Sequence, residues 1–303
     1  MESDQQPVRN IHLEDIKRRM EACAELARQR EETAVIQLPL WREDRRGTPN
    51  DFLRSALFAA IQSKDRKMLD GITLVSQKNM TVKFTGKQLN QEDLDVWEAV
   101  LHLSNRTPLG TEINLTGYSI LKALKLPTGG EQHRRLEESI DRLAGCYIKL
   151  DFTEEYNRYK YGGSLIDKFF KHENTGQYLM VMSRELTKLF APDGWTAINF
   201  DQRLQLRSKQ LAQFLHGYYS SHERPHPVKL STLQELSGSI NKQPASFKRQ
   251  VKAALDQLVK ISFLENYSID GNLVIVKRIP KSRLELQQDE AERERHKIDY
   301  YRQ

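Results

Sequence analysis

From Asn90 onward the chain alternates between helical and strand periodicities in one order, twice. Leu94, Trp97, Val100 and Leu101 form an apolar stripe behind an asparagine able to cap a helix. A short alternating strand follows at EINLT (Glu112 to Thr116), then a helix from Gly117 to Leu126 with Ile120, Leu121 and Leu124 inward, then the break PTGG. Thr128 and Glu131 stand at capping-box spacing before a third helix whose stripe is Leu136, Ile140 and Leu143. The period then becomes two: YIKLDF (Tyr147 to Phe152) predicts a strand, EEYNRYKYGG a polar tip, and SLIDKFF and QYLMVMS return strands.

The second copy opens in RSKQLAQFLHGYY, where Leu211, Phe214, Leu215 and Tyr218 share a face. A short strand at PVKL leads to a helix with Ser231 and Gln234 at capping-box spacing, closed near Gly238. Pro244 suits the first turn of the last helix, which turns Phe247, Val251, Ala254 or Leu255, and Leu258 inward. FLENYSI, the turn Asp270 to Asn272, and LVIVKR make a hairpin. Helix, short strand, helix, turn, helix, hairpin is the order of a winged helix-turn-helix. The pattern therefore predicts an α+β chain with two tandem winged-helix domains, at 48–198 and 199–280, between charged helical or flexible tails at 1–47 and 281–303.

The ends add little hydrophobic drive. Leu13, Ile16, Met20 and Cys23 fall on one helical stripe, too short to hold a coiled coil alone. From Lys281 to Gln303 six basic residues face six acidic ones, the pattern of a solvated helix or tail. VIQLPLWRED (Val35 to Asp44) is the one apolar cluster in the first fifty residues, and Pro39 biases it toward an extended form. It either packs onto the neighbouring domain or is carried exposed for a partner.

Composition narrows the classes. The 303 residues suit about two domains. Cys23 and Cys146 lie in unlike contexts, which argues against a disulfide framework or zinc cluster and for a reducing, cytoplasmic compartment. No run of apolar residues is long enough for a membrane span. Lys plus Arg (47) exceeds Asp plus Glu (41) by six, an excess that matters only where it clusters. It clusters in the second copy. From Lys242 to Lys260 five basic residues accompany a single acid, Asp256.

In a helix-turn-helix the third helix enters the major groove, so its solvent face needs cations and donors. Ser246, Lys248, Arg249 and Lys252 meet that need, and Lys277 and Arg278 at the hairpin exit are placed to hold phosphates. The first copy is more acidic: Arg134 and Arg135 share their helix with Glu131, Glu137, Glu138 and Asp141. Its hairpin tip mixes Tyr156, Arg158, Tyr159, Lys160 and Tyr161. Arg158 and Lys160 read as phosphate contacts, while the tyrosines either stack on unpaired bases or fold back onto the sheet. This copy also suits dimerisation.

Enzyme motifs fail on their own geometry. HERPH (His222 to His226) matches HExxH in letters, but Pro225 lies inside the helix that zinc ligation requires. FTGKQL lacks the upstream glycine and the Ser or Thr of a phosphate-binding loop. No catalytic residue, cofactor or metal is expected.

TPNDFLRSALF (Thr48 to Phe58), FTGKQLNQEDLDVWEAVL, RTPLG (Arg106 to Gly110) and YYSSHERPHPVKLSTLQEL (Tyr218 to Leu236) resemble the TrfA-type plasmid replication initiators, over roughly residues 36 to 278. The resemblance implies tandem winged helices that bind directly repeated double-stranded origin sites (iterons). It also implies opening of A·T-rich DNA, contact with the resulting single strands, recruitment of the host replicative helicase or its loader, and copy control through a monomer-to-homodimer balance. Initiators of this type are similar in carrying a sliding-clamp-binding peptide of the form QLxLF. Here Gln37, Leu38, Leu40 and Trp41 occupy its positions, with Trp for Phe. Two modules would cover roughly 20 base pairs. The alternative is a winged-helix transcriptional regulator that never opens duplex.

Overall fold

The computed structural model describes residues 18, 38–77, 80–154 and 157–302. The N-terminal stripe around Leu13 to Cys23 and the side chain of Gln37 lie outside the described residues.

β1 (Arg45–Pro49) leads into the one-turn α1 (Asn50–Leu53), β2 (Phe58–Ala59), β3 (Met68–Leu74), β4 (Met80–Lys87) and β5 (Leu89–Asn90). α2 (Gln91–Ser104) is the first copy's opening helix. The Asn90 side chain accepts from the Glu92 and Asp93 amides, and Asp93 answers to the Asn90 amide at 3.0 Å. β6 (Glu112–Thr116), α3 (Gly117–Ala123) and α4 (Gly130–Gly145) follow, with Leu136, Ile140 and Leu143 buried on α4. α3 stops before Leu126 because Lys125 adopts φ +51. The Thr128–Glu131 capping box does not form. Gly129 caps α4 without a side-chain bond, and the Glu131 carboxylate turns along the helix to Arg134 at 2.8 Å.

The hairpin departs from expectation. β7 (Tyr147–Glu154) pairs with β8 (Asn157–Gly163), so Asn157 to Gly163, expected as part of a polar tip, form a strand, while Glu155 and Tyr156 lie outside the described residues. β9 (Lys168–His172) and β10 (Gln177–Val181) belong to a separate sheet, ordered β6-β10-β9. The main sheet is ordered β3-β4-β7-β8, and its buried face (Val82, Phe84, Ile148, Leu150) rests on the helices of the first copy. β11 (Trp195–Asn199) returns to pair antiparallel with β1, so residues 45–47 are structure and not tail.

The second copy is built from α5 (Phe200–Gln205), α6 (Gln210–Ser220), β12 (Val228–Lys229), α7 (Leu230–Leu236), α8 (Pro244–Lys260), β13 (Leu264–Asp270) and β14 (Leu273–Arg278). Phe247, Val251, Ala254, Leu255 and Leu258 of α8 enter its own core together with Phe214, Leu215 and Tyr218 of α6. Pro244 starts α8, and Gly271 supplies the φ of +55 that the hairpin turn requires. Here too the expected capping box is absent: Lys229 caps α7, and the Gln234 amide donates instead to the Asn241 carbonyl.

Residues 281–303 were expected to be solvated. α9 (Arg283–Arg302) is instead fastened to the first copy. Arg45 reaches Glu285 at 3.2 Å, Arg42 binds Gln288, and His296 Nε2 donates to the Phe190 carbonyl at 2.6 Å. The His296 ring also meets the Trp195 ring edge-on, with centroids 5.7 Å apart.

Polar groups join the two copies. Arg203 of α5, 1% exposed, ion-pairs Asp95 of α2 and donates to the backbone oxygens of Gln91 and Gln213, both at 3.3 Å. Gln213 Nε2 donates to Asp95 at 3.0 Å, and Gln210 accepts from the Gln91 amide at 3.1 Å. Close approach completes the junction: a Cβ on Gly217 would meet Leu53 Cδ2 at 2.9 Å.

Glu98, wholly buried, lies 3.7 Å from Arg203 Nε and accepts from the Thr48 hydroxyl. Its Oε2 has no hydrogen-bond partner among the described residues. Burial outweighs the pull of Arg203 and pushes the carboxyl up to about 7, from 4.5. An acid whose folded pKa lies above its unfolded one takes up a proton on folding, so stability falls as pH rises from 4.5 through 7. Buried His216, held down near 3, acts oppositely over its own range, so the comparison must be with a single-site variant. Glu98→Gln should gain up to about 3 kcal/mol on the wild type between about pH 5 and pH 8. Urea unfolding at both pH values measures this, and a constant difference would remove Glu98 as the cause.

Candidate nucleic-acid interface

α8 presents two faces because apolar residues recur along it at three- and four-residue spacing. Opposite the buried stripe stand Arg249 and Lys252, both exposed. No described carboxylate forms an ion pair with either. Lys248 flanks them and leans toward the hairpin, its Nζ donating to the Gly271 carbonyl at 2.9 Å. The helix and the hairpin turn thus share a cationic edge. Ser246 is half-buried, and its hydroxyl accepts from Asn241 Nδ2 at 3.0 Å, which ties the α7–α8 turn to the helix. Asp256, the acid on this helix, accepts from the Tyr267 hydroxyl.

Ala245 and Ala253 were not singled out from the sequence. Both are exposed on the face of Arg249, where a small side chain lets a helix approach base edges and a methyl can meet a thymine methyl. The spacing of Ala245, Arg249 and Ala253, four residues apart, carries that signal in the sequence.

The hairpin exit divides. Lys277 is exposed and pairs with Glu265 at 2.8 Å, an exchangeable surface contact. Arg278 corrects the expectation of a phosphate contact. Its Nη1 donates to the carbonyls of Tyr219 (3.2 Å) and His222 (3.0 Å), and its guanidinium stacks 5.1 Å from the Phe263 ring centre. It fastens the hairpin to α6 and is spent in doing so.

The cations expected on the first copy's third helix are engaged. Arg134 pairs with Glu131 and Glu138, and Arg135 with Glu92 at 3.3 Å, so α4 shows mixed charge to solvent. Lys160 is exposed on β8, and Arg158 occupies the β8 position opposite Thr153. The side chains of Tyr156, Arg158 and Tyr159 lie outside the described residues. Tyr161 does fold back, its hydroxyl donating to the Ser164 carbonyl at 2.6 Å.

Leu38 to Trp41 are not held out as a free peptide. Leu38 is 3% exposed and Trp41 6%, while Leu40 faces outward. The indole is sandwiched near Phe190 (6.3 Å) and Trp195 (5.9 Å), and its Nε1 donates to His102 Nδ1 at 3.0 Å. His102 in turn donates from Nε2 to Glu43, also at 3.0 Å. Leu38 and Trp41 therefore pack on their own domain, the first of the two readings the cluster allowed, while Val35 to Gln37 lie outside the described residues.

His222 of HERPH follows the end of α6, and its ring rests against Tyr218 with Nδ1 2.7 Å from the Tyr218 carbonyl. Among the described residues, no group of three His, Cys, Asp or Glu side chains is arranged to hold a metal ion, and no helix is long and apolar enough to cross a membrane.

A sequence model of the family described as TrfA protein matches residues 24–278. The plasmid replication initiator protein TrfA of Escherichia coli is 28% identical over 251 residues, 81% of this chain and 65% of that protein, so this chain spans about two thirds of that relative. A crystal structure of domains 2 and 3 of RctB, as a selenomethionine derivative, matches with a TM-score of 0.52 at 13% identity, over 77% of this chain and 99% of the other. A second RctB domain 2–3 structure gives 0.46 at 14% identity, over 74% and 95%. The first structural likeness supports the α+β, winged-helix-like fold.

The two kinds of arginine and lysine should separate in experiment. Lys252→Ala should leave thermal stability unchanged and flatten the dependence of log affinity for duplex DNA on log salt by about 0.9. Arg278→Ala should lower the melting temperature and leave that slope unchanged, because it leaves two carbonyls unpaired. A steeper loss of slope in Arg278→Ala than in Lys252→Ala would reverse the assignments.

Proposed function

The chain belongs to the TrfA protein family, and on that premise we propose that it is a plasmid replication initiator acting through two tandem winged-helix modules. It binds directly repeated double-stranded sites at an origin, promotes opening of adjacent A·T-rich DNA, and brings in the host replicative helicase or its loader. The observation that carries this reading is α8, whose exposed Arg249 and Lys252 stand beside Lys248 and the hairpin turn with no carboxylate ion pair among the described residues. Such a helix suits the major groove: its cations meet guanine edges or phosphates, Ala245 and Ala253 permit close approach, and Lys277 follows the backbone alongside.

The first module contributes less attraction, since Arg134 and Arg135 already hold carboxylates. In this reading it spans a neighbouring stretch of DNA or pairs with a second copy, and that pairing governs copy number. Sliding-clamp contact through Gln37, Leu38, Leu40 and Trp41 belongs to a state in which Leu38 and Trp41 have left their seat. No step in this function breaks a covalent bond.

Footprinting on the DNA flanking the gene tests the reading. The expected result is regularly spaced protected repeats with distortion in neighbouring A·T-rich DNA, abolished in a Lys248→Ala, Arg249→Ala, Lys252→Ala variant. A lone protected palindrome without distortion would make the protein a transcriptional regulator instead.

A further inference from the structure

α9 turns a polar side toward the first copy. Glu285, Gln288, Asp289, Glu292 and His296 follow one another at the spacing that gathers side chains on one helix face. Of the α9 side chains described, His296 alone is buried, while Leu284 and Leu286 are exposed. Charge and hydrogen bonds, not an apolar stripe, therefore dock this helix.

The groups it grips surround one segment. His296 binds the Phe190 carbonyl and packs against Trp195, and these two residues wall the seat of Trp41. Arg42, the next residue after Trp41, binds Gln288 and lies 3.8 Å from Glu292. Arg45, three residues further on, pairs with Glu285.

These fastenings are of a kind that reverses. Arg42 Nε and Arg45 Nε are buried without a hydrogen-bond partner among the described residues, and burial pushes the Glu292 carboxyl up although Arg42 pulls it down. Ion pairs so placed add little net stability and weaken as salt rises. At the root of the helix lies a cleft of about 120 Å³, lined by Thr196, Asn199, Ser220, Ile279, Lys281 and Glu285, so the connection from β14 is not close-packed on the body. A helix held this way belongs to the low-stability end of a fold, from which moving elements are drawn.

We propose that α9 is a charge-held latch over the Leu38–Trp41 segment. Docked, it keeps Leu38 and Trp41 in their seat; lifted, it frees them for a partner protein with an apolar pocket, which the already exposed Leu40 meets first. The proposal rests on the sliding-clamp reading above for the identity of that partner, and adds what controls access to it. The coupling is reciprocal: a partner that draws Trp41 out loosens α9 by the same factor.

The three tryptophans of the full chain, labelled with 5-fluorotryptophan, report the parts by fluorine NMR, with Trp41→Phe used only to assign the signals. Trp41 reports the seat, Trp195 the contact with His296, and the fully buried Trp97 the core. Glu285→Lys, Glu292→Lys should shift Trp195 and give Trp41 a solvent-exposed signal while Trp97 stays in place. Wild type in about 1 M salt should do the same, and it decides the matter if the variant disturbs Trp97. A Trp195 shift with Trp41 still seated overturns the latch, and so does the absence of any change. Purified bacterial sliding clamp should bind the variant about tenfold more tightly than wild type. Equal affinity overturns the latch, whereas no clamp binding by either protein overturns the clamp reading and leaves the fluorine signals to decide the latch.

Discussion

Arg203 is the group on which the arrangement of the chain depends. It lies at the start of the second copy, yet its guanidinium is enclosed by Asp95, Glu98 and the Gln91 backbone of α2 and by the Gln213 carbonyl of α6. A buried cation this well surrounded is strongly directional: sliding one copy over the other would leave charges unpaired away from water. An apolar junction would have tolerated many alignments at similar energy. The polar one selects a single alignment, and Gly217 and Leu53 tighten it by contact.

The same logic sorts the remaining cations. Arg42, Arg45, Arg66, Arg142 and Arg278 are drawn into structural bonds with carboxylates, side-chain amides or carbonyls. Arg66 and Arg142 converge on the buried Asp93 carboxylate, which also accepts from Ser139 at 2.7 Å and so fixes α2 against α4. Arg249 and Lys252 on α8 keep no such bond among the described residues. Net charge alone gives no hint of that division.

Much of the fold could be read from the sequence because helices and hairpins follow local rules. The α8 core stripe, the Asn90 cap and the Gly271 turn each answer to spacing within a few residues. Three features could not be read that way. β8 was hidden because the alternation in NRYKYGG amounts to two tyrosines followed by two glycines; it forms because β7 offers an edge to pair with. Arg278 looked like a surface cation until the Tyr219 and His222 carbonyls came within reach across the fold. The docking of α9 was invisible because its anchors, Glu285, Gln288 and His296, are polar, with no apolar stripe to announce a buried face. The α8 face was legible in its charges, but not in its alanines.

The pairing of β1 with β11, closed by α9, has a consequence for the order in which the chain takes shape during synthesis. Arg45–Pro49 leaves the ribosome early but finds its strand partner only when Trp195–Asn199 has followed. The contacts from Arg42 and Arg45 to α9 wait longer still, for the final helix. The second copy, whose core is assembled from consecutive elements, is under no such delay. Within the described residues β1 therefore closes later than the second copy's core, because pairing across so long a stretch of chain is slow.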